Sequence, residues 1–555
     1  MKKHNKSITI QKVIWNKMIL LLFGTLSIVS CSEDFLEEDP ANIVVAEDVF
    51  VDKAGVQSAL NGLYHEVRKE RMGSNGQNES GGGDLRFSIM VNGTDNVFAL
   101  NPGRSSGVIT SQFGGANNSA AGYTTRIFGW LYRTINAANT IVDRSENPEI
   151  EWSLEEKNEA IAEAKTVRAW AYRHLTYLWG DVPISLKEST GDNIITDWQR
   201  SPLDEVFAVM ESDLLFAETW LPTESRNPGT VSKAVAQHYL AELYIRMGKP
   251  DLAERKAQAV ISGPYALITS RYGVRAAQPG VPFMDQFYDG NVLRSQGNTE
   301  VLWAIVHENG IDNPDQGRNI MRRFFVGFYR NINGIAVSVD RGGRGIGRLG
   351  MTNWALSIYG PEDERNSEFA ITKGYTYTES EGDSPPDGFS FGDTIETVAV
   401  PEDNVNPSNR NTYPHCRKWE WADPANLNLN EQYGDQPYLR LADTYLLLAE
   451  AQLAQGNTSG AAEAINVVRR RANASEITAA EVNLDFLLDE RSREFLCEEQ
   501  RRYCLVRNNK LIERTRLYNL QAGPNITERD RLFPIPQSVI DANLTNPMRQ
   551  NNGYQ

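Results

Sequence analysis

Cysteine is scarce in this chain, with four among 555 residues. Beyond Cys31 only Cys416, Cys497 and Cys504 remain, and no C-x-x-C pair occurs. Cys497 and Cys504 fall seven apart in a segment of helical pattern, which separates them by about 10.5 Å along the axis, too far for a disulfide. No H-E-x-x-H is present, and the six histidines stand singly, so a zinc site has no support and no cofactor is expected. Past residue 29 no run approaches 18 uninterrupted apolar residues, so nothing later in the sequence spans a bilayer as a helix. No Lys/Arg cluster tracks a phosphate backbone, and with a net charge of −16 nucleic acid is excluded as a partner.

What is present begins with an export signal. Lys2, Lys3, Lys6, Lys12 and Lys17 precede the apolar run Met18–Val29, which has signal-peptide length and is too short to cross a membrane. Ile28-Val29-Ser30-Cys31 follows, resembling a bacterial lipobox, whose cysteine is acylated and becomes the first residue of the mature protein. The alternative is a plain signal peptide with an incidental cysteine. Glu33, Asp34, Glu37, Glu38 and Asp39 then form an acidic flank.

The mature part is helical at both ends and irregular between. Ala54–Val67, 125–144, 157–180, 202–220, 231–247 and 251–261 carry apolar residues at helical spacing. Antiparallel pairs in series are the pattern of helical repeats. From about 264 to 430, glycine, asparagine, proline and aromatics dominate, with strand-like pieces at 300–306 and 334–339. Helices resume over 438–456, 461–472 and 483–507, where Glu490 before Arg493 and Glu498 before Arg502 provide favourable charge pairs.

Several stretches taken in order resemble one family. They are Phe35-Leu36, ALNGLY (59–64), TDNVF (94–98), Trp130 to Asn139, AEAKTVRAWAYRHLTYLWGDVPI (162–184), RLADTYLLLAEA (440–451), INVVRRRA (465–472), DERSREFLCEEQRRYCLVR (489–507) and the tail FPIPQSVIDANLTNPMRQNNGY (533–554). The chain is similar throughout to the SusD/RagB-type nutrient-binding lipoproteins of Bacteroidetes. The resemblance implies a mostly α fold, a tetratricopeptide-like scaffold of helical pairs with a loop-rich, partly β insert. It also implies a non-catalytic lipoprotein that binds oligosaccharide at the cell surface and serves a SusC-like TonB-dependent transporter in the outer membrane. Some relatives serve peptide importers, so a peptide-binding member is the alternative, with an extracellular hydrolase a lesser one. The organisation expected is a signal peptide over 1–30, an acidic lipid-anchored tether over 31–50 and a helical part over 51–263. A loop-rich middle over 264–430 and a helical part over 431–555 complete the same domain.

A sugar site needs aromatic platforms beside planar polar groups. Aromatics in loops, which join no helical stripe, are the candidates. Phe98 beside Asp95 and Asn96, Phe287 and Tyr288 in DQFYDG, Phe324, Phe325 and Tyr329 in RRFFVGFYR, and Trp354 meet that test. Gly345, Gly347 and Gly350 spell G-x-G-x-x-G, the form of a dinucleotide fingerprint, but no series of βα units surrounds them. Arg341, Arg344 and Arg348 on that glycine loop would instead offer guanidinium groups to an anionic glycan. With 72 Asp and Glu residues no glycosidase carboxylate pair can be singled out.

Overall fold

The computed structural model describes residues 46–72, 85–103, 111, 113–307, 319–429 and 432–554. Residues 1–51 form one unit, of which 46–51 are described and include the short helix Ala46–Val49; Cys31 lies outside the described residues. Residues 52–555 form a second, compact unit.

That second unit opens with a run of helices: α1 (Lys53–Arg68), α2 (Gly122–Arg144), α3 (Leu154–Trp179), α4 (Leu203–Trp220), α5 (Lys233–Arg246) and α6 (Pro250–Ile261). Local chemistry sets the ends. The Ser153 side chain accepts from Glu156 N–H while Glu156 reaches back to Ser153 N–H, a reciprocal cap on α3. Gly180, at φ 74°, stops that helix in a conformation that suits a residue without Cβ. Pro250 begins α6, where its missing N–H costs nothing.

α2 packs on α3, α3 on α4, α4 on α5 and α5 on α6, and the series continues into α7 (Leu441–Ala454) and α8 (Thr458–Arg471). Fully buried alanines at the crossings, Ala241, Ala257, Ala442, Ala449 and Ala461, let these helices approach closely. The expected mostly α scaffold of stacked helical pairs is thus the observed one. α9 (Leu484–Phe495), α10 (Arg501–Arg507) and α11 (Leu511–Tyr518) follow.

Two of three two-stranded antiparallel ladders join the irregular middle to segments outside it, and the third is a hairpin within it. β1 (Val97–Ala99) pairs with β3 (Leu349–Met351), β2 (Val301–Ile305) with β6 (Gln436–Arg440), and β4 (Gly374–Thr376) with β5 (Thr394–Glu396). Under β2 and β6 lies a fully buried ionic network. Arg440 donates to Glu300 at 2.6 Å, Glu494 at 2.8 Å and Glu498 at 2.6 Å. Arg471 reaches Glu300 and Glu494, and Arg365 reaches Asp363, Glu490 and Glu494. Every charge there has a partner, so the network favours one arrangement of helices over alternatives in which a charge would be stranded.

Three local expectations are corrected. Tyr438, Leu439 and Arg440 belong to β6, not to the helix that begins at Leu441, because β2 is available to pair with them. Residues 334–339 form no strand; the Ala336 N–H donates to the Asp383 side chain at 2.7 Å instead of to a ladder. The expected helix over 483–507 is two, broken at 496–500 with Cys497 at φ 63°. Glu498 accordingly pairs with Arg440 and Lys418, not with Arg502, whereas Glu490 does meet Arg493 at 2.8 Å.

Candidate functional site

The aromatics singled out in the sequence divide by exposure. Phe98, on β1, is completely buried; its ring meets Tyr413 edge-on at 5.6 Å, and Gly350 packs against it. Phe324 and Phe325 lie on the short helix Met321–Phe325 inside a large apolar cluster, with Phe325 against Phe87 and Trp419. Tyr329 stacks on Tyr375 at 5.3 Å, and its hydroxyl donates to Gly343 O at 2.5 Å. Phe287 is buried against Phe283 with Lys418 and Arg440 over its ring. A ring enclosed on both faces has none to offer a sugar, so these five are packing residues in this conformation. Trp354 is half-buried and stacks on Tyr518 at 4.3 Å beside Arg514.

The polar candidates follow the same logic. Asp95 is fully buried and accepts from Arg501 Nε and Nη2 at 2.8 and 2.7 Å and from Arg514 Nε at 2.7 Å. Burial pushes its carboxyl up, but the two guanidinium groups outweigh this and hold it below the usual range. Asn96 is buried, and its carbonyl accepts from Thr352 N–H at 2.9 Å. The three arginines of the glycine loop do not converge on a ligand. Arg341 forms a two-pronged pair with Asp383 at 2.7 and 2.6 Å, Arg344 donates to Asn428 O at 3.2 Å, and Arg348 is buried. The loop is no phosphate cradle either, since a Cβ on Gly345 would lie 2.3 Å from Gly327 O and 2.4 Å from Val326 O. Glycine is required there by close packing of backbone on backbone.

Tyr288 is half-buried, packed against the cluster that holds Phe283 and Phe287. Its neighbour Phe287 anchors the turn after the short helix Pro282–Asp285, and Asp285 fixes that turn by accepting from Arg271 Nε at 2.8 Å and Tyr272 N–H at 2.9 Å. The Arg275 guanidinium lies 4.5 Å from the Tyr288 ring, and the charges of Arg417 and Glu420 reach its phenol. Trp421 follows the 3₁₀ turn Arg417–Trp419, which is pinned by buried Trp419 donating to Cys497 O at 3.0 Å. Tyr433 lies just past Gln432, whose backbone bonds reciprocally with Asn319 at 2.9 and 3.0 Å. Trp421 and Tyr433 are both half-buried, with ring centroids 6.1 Å apart in an edge-to-face arrangement, and Gly434 lets the backbone pass against the indole.

Asp435 adds a polar group at this place. It accepts from the His307 N–H at 2.9 Å. Burial, reinforced by the like charge of Asp289, nevertheless raises its carboxyl to about 6. The repulsion places the 288–289 turn near the start of β6. Trp421 and Tyr433 thus form a half-buried aromatic pair rooted on buried neighbours, and Tyr288 is a third half-buried ring, within reach of the Glu420 charge. Such a surface can stack on apolar C–H faces and hydrogen-bond to hydroxyls without a catalytic constellation.

Trp421 and Tyr433 did not stand out in the sequence, although "WADPANLNLNEQYGDQP" is the kind of irregular, turn-rich stretch in which a loop aromatic is informative. Phe389 and Phe391 were missed as well. They are 43 and 51% exposed at the tip of the β4–β5 hairpin, beside Tyr377, which Phe389 meets at 5.6 Å. Two clefts of about 380 and 270 Å³ share Gly229, Thr230 and Trp303 as a wall. Their aromatic side chains, Tyr64 and Trp303, are buried and hydrogen-bonded within the protein. Among the described residues no group of three or more His, Cys, Asp or Glu could hold a metal ion, and no helix is long and apolar enough to cross a membrane.

Comparison with known proteins gives one consistent result. The profile of the SusD family matches residues 299–554, and that of a related group described as starch-binding and associating with the outer membrane matches 34–245. SusD-like protein P2 of Formosa agariphila is 26% identical over 548 residues, covering 95% of this chain and 98% of its own. The starch-binding protein SusD of Bacteroides thetaiotaomicron is 36% identical over 125 residues, 22% of each chain. Among solved structures, a SusD homologue from Bacteroides thetaiotaomicron superposes with a TM-score of 0.70 at 18% identity, covering 92% of this chain and 98% of its own. A laminarin-binding SusD-like protein superposes with a TM-score of 0.66 at 19% identity, covering 91% and 100%.

Proposed function

Because this chain belongs to the SusD/RagB-type family, we propose that it is a glycan-binding lipoprotein of the outer membrane, which captures oligosaccharide and passes it to a partner TonB-dependent transporter without chemistry of its own. The observation that carries the reading is the half-buried pair Trp421 and Tyr433, with Tyr288 a further half-buried ring outside the helical pairs, each beside a buried anchor. Rings held in this way lose little freedom when a sugar stacks on them, which favours binding. Relatives named for starch and laminarin support a glycan ligand. The profile described as associating with the outer membrane supports the location. Cys31, after Ile28-Val29-Ser30, would carry the lipid and tether the chain through its acidic leader.

The test is a binding panel of immobilised plant, algal and microbial glycans beside a library of extended peptides. Retention on one glycan class with none on peptides supports the proposal. Retention on peptides alone would select the peptide-importing alternative.

A further inference from the structure

Cys416 and Cys497 come together inside the protein although they lie in different parts of the sequence. Cys416 ends the segment that leads into the 3₁₀ turn Arg417–Trp419; Cys497 sits in the break between α9 and α10. The Cys416 thiol lies 3.9 Å from the carbonyl oxygen of Leu496, the residue next to Cys497, and the Cys497 thiol is near enough to act on its ionisation. Both residues belong to one apolar cluster with Phe325 and Trp419. Trp419 Nε1 donates to Cys497 O at 3.0 Å, and Lys418 Nζ to Glu494 O at 2.8 Å, so the two backbones are stitched together on either side of the sulfurs. Cys497 has φ 63°, a left-handed conformation rare for a residue with a Cβ. Cys504 belongs to a different cluster, on α10.

We propose that Cys416 and Cys497 close a disulfide bond in the exported protein, fastening the irregular insert to the C-terminal helices. The site is enclosed once the chain has folded, so pairing takes place before it closes. The oxidant is a disulfide donor. The Cys416 thiolate attacks one sulfur of the donor, forming a mixed disulfide and releasing one donor thiolate. Cys497 then attacks the Cys416 sulfur and displaces the second. Two protein thiols are oxidised, one donor disulfide is reduced, and the two thiol protons end on the released donor thiols. The pairing also accounts for the thiol count, since Cys504 is then the one left over and Cys31 is assigned to lipid.

The experiment is a peptide map without reduction, after free thiols have been alkylated in denaturant. Chain recovered from its native membrane should yield a linked peptide pair containing Cys416 and Cys497, with Cys504 alkylated. The same pattern is expected for full-length chain that is reduced, unfolded and refolded in a buffer of reduced and oxidised glutathione, an arm that does not depend on export. Cys416 and Cys497 both alkylated in the refolded chain, or either one linked to Cys504, would overturn the proposal. So would both alkylated in membrane-derived chain that has lost residues 1–30.

Discussion

Asp95 accepts two hydrogen bonds from Arg501, at 2.8 and 2.7 Å, across 406 residues of sequence, and neither side chain reaches solvent. With Arg514 also bonded to Asp95, this pair joins the turn before β1 to α10 and α11. Asp95→Asn leaves two guanidinium groups facing a neutral partner in a dry site. The expected loss is about 3–5 kcal/mol of folding stability, read as a lowered denaturation midpoint. Glycan affinity of the molecules that remain folded should not change. Lost affinity with an unchanged midpoint would return Asp95 to the binding site.

Arg341 holds the β4–β5 hairpin by its bonds to Asp383 and to Thr376 O. Arg341→Ala frees the tip that carries Phe389 and Phe391 and should speed limited proteolysis between 378 and 393 several-fold. Loss of one part-buried charge-assisted pair is worth about 1 kcal/mol locally. Unchanged cleavage would show that the hairpin stands without this brace.

Asp435 gives a pH dependence of definite sign. Its carboxyl is raised from 3.8 to about 6 in the folded protein, so folding takes up a proton, and stability contributed by this group falls as pH rises from about 4 to 6. Near pH 7 the burden is full, about 1–3 kcal/mol after allowing for partial exposure. Asp435→Asn should therefore melt above wild type at pH 7, with the difference shrinking toward pH 4. Equal melting at both values would contradict the assignment.

Cys31→Ala removes the proposed lipid site. The variant should lack fatty acid by mass spectrometry and leave the membrane fraction, and retention there without any lipid on the wild-type protein would contradict the anchor.

The scaffold was legible in the sequence because its information is local. Apolar spacing, Ser153 with Glu156, Gly180 and Pro250 mark helices within a few residues of where they lie. The failures have distant causes. Tyr438–Arg440 read equally well as helix or strand, and only the presence of β2, well over a hundred residues earlier, decides. The break at Cys497 carries no glycine to announce it. The burial of several binding candidates has the same cause. Phe98 is hidden by Tyr413, and Arg341 is engaged by Asp383, partners that no local rule supplies. Tyr288 and Trp354 are the aromatics of the chosen set that the fold leaves half-buried.

Affinity electrophoresis of wild type beside Trp421→Ala/Tyr433→Ala, in gels containing the glycan retained by the panel, tests the central claim. The paired variant should migrate as though no glycan were present, since stacking is worth about 0.5–1.5 kcal/mol beyond burial for each ring, while its melting temperature stays within a few degrees of wild type. Undiminished retardation of a folded variant would contradict the account and place the glycan elsewhere.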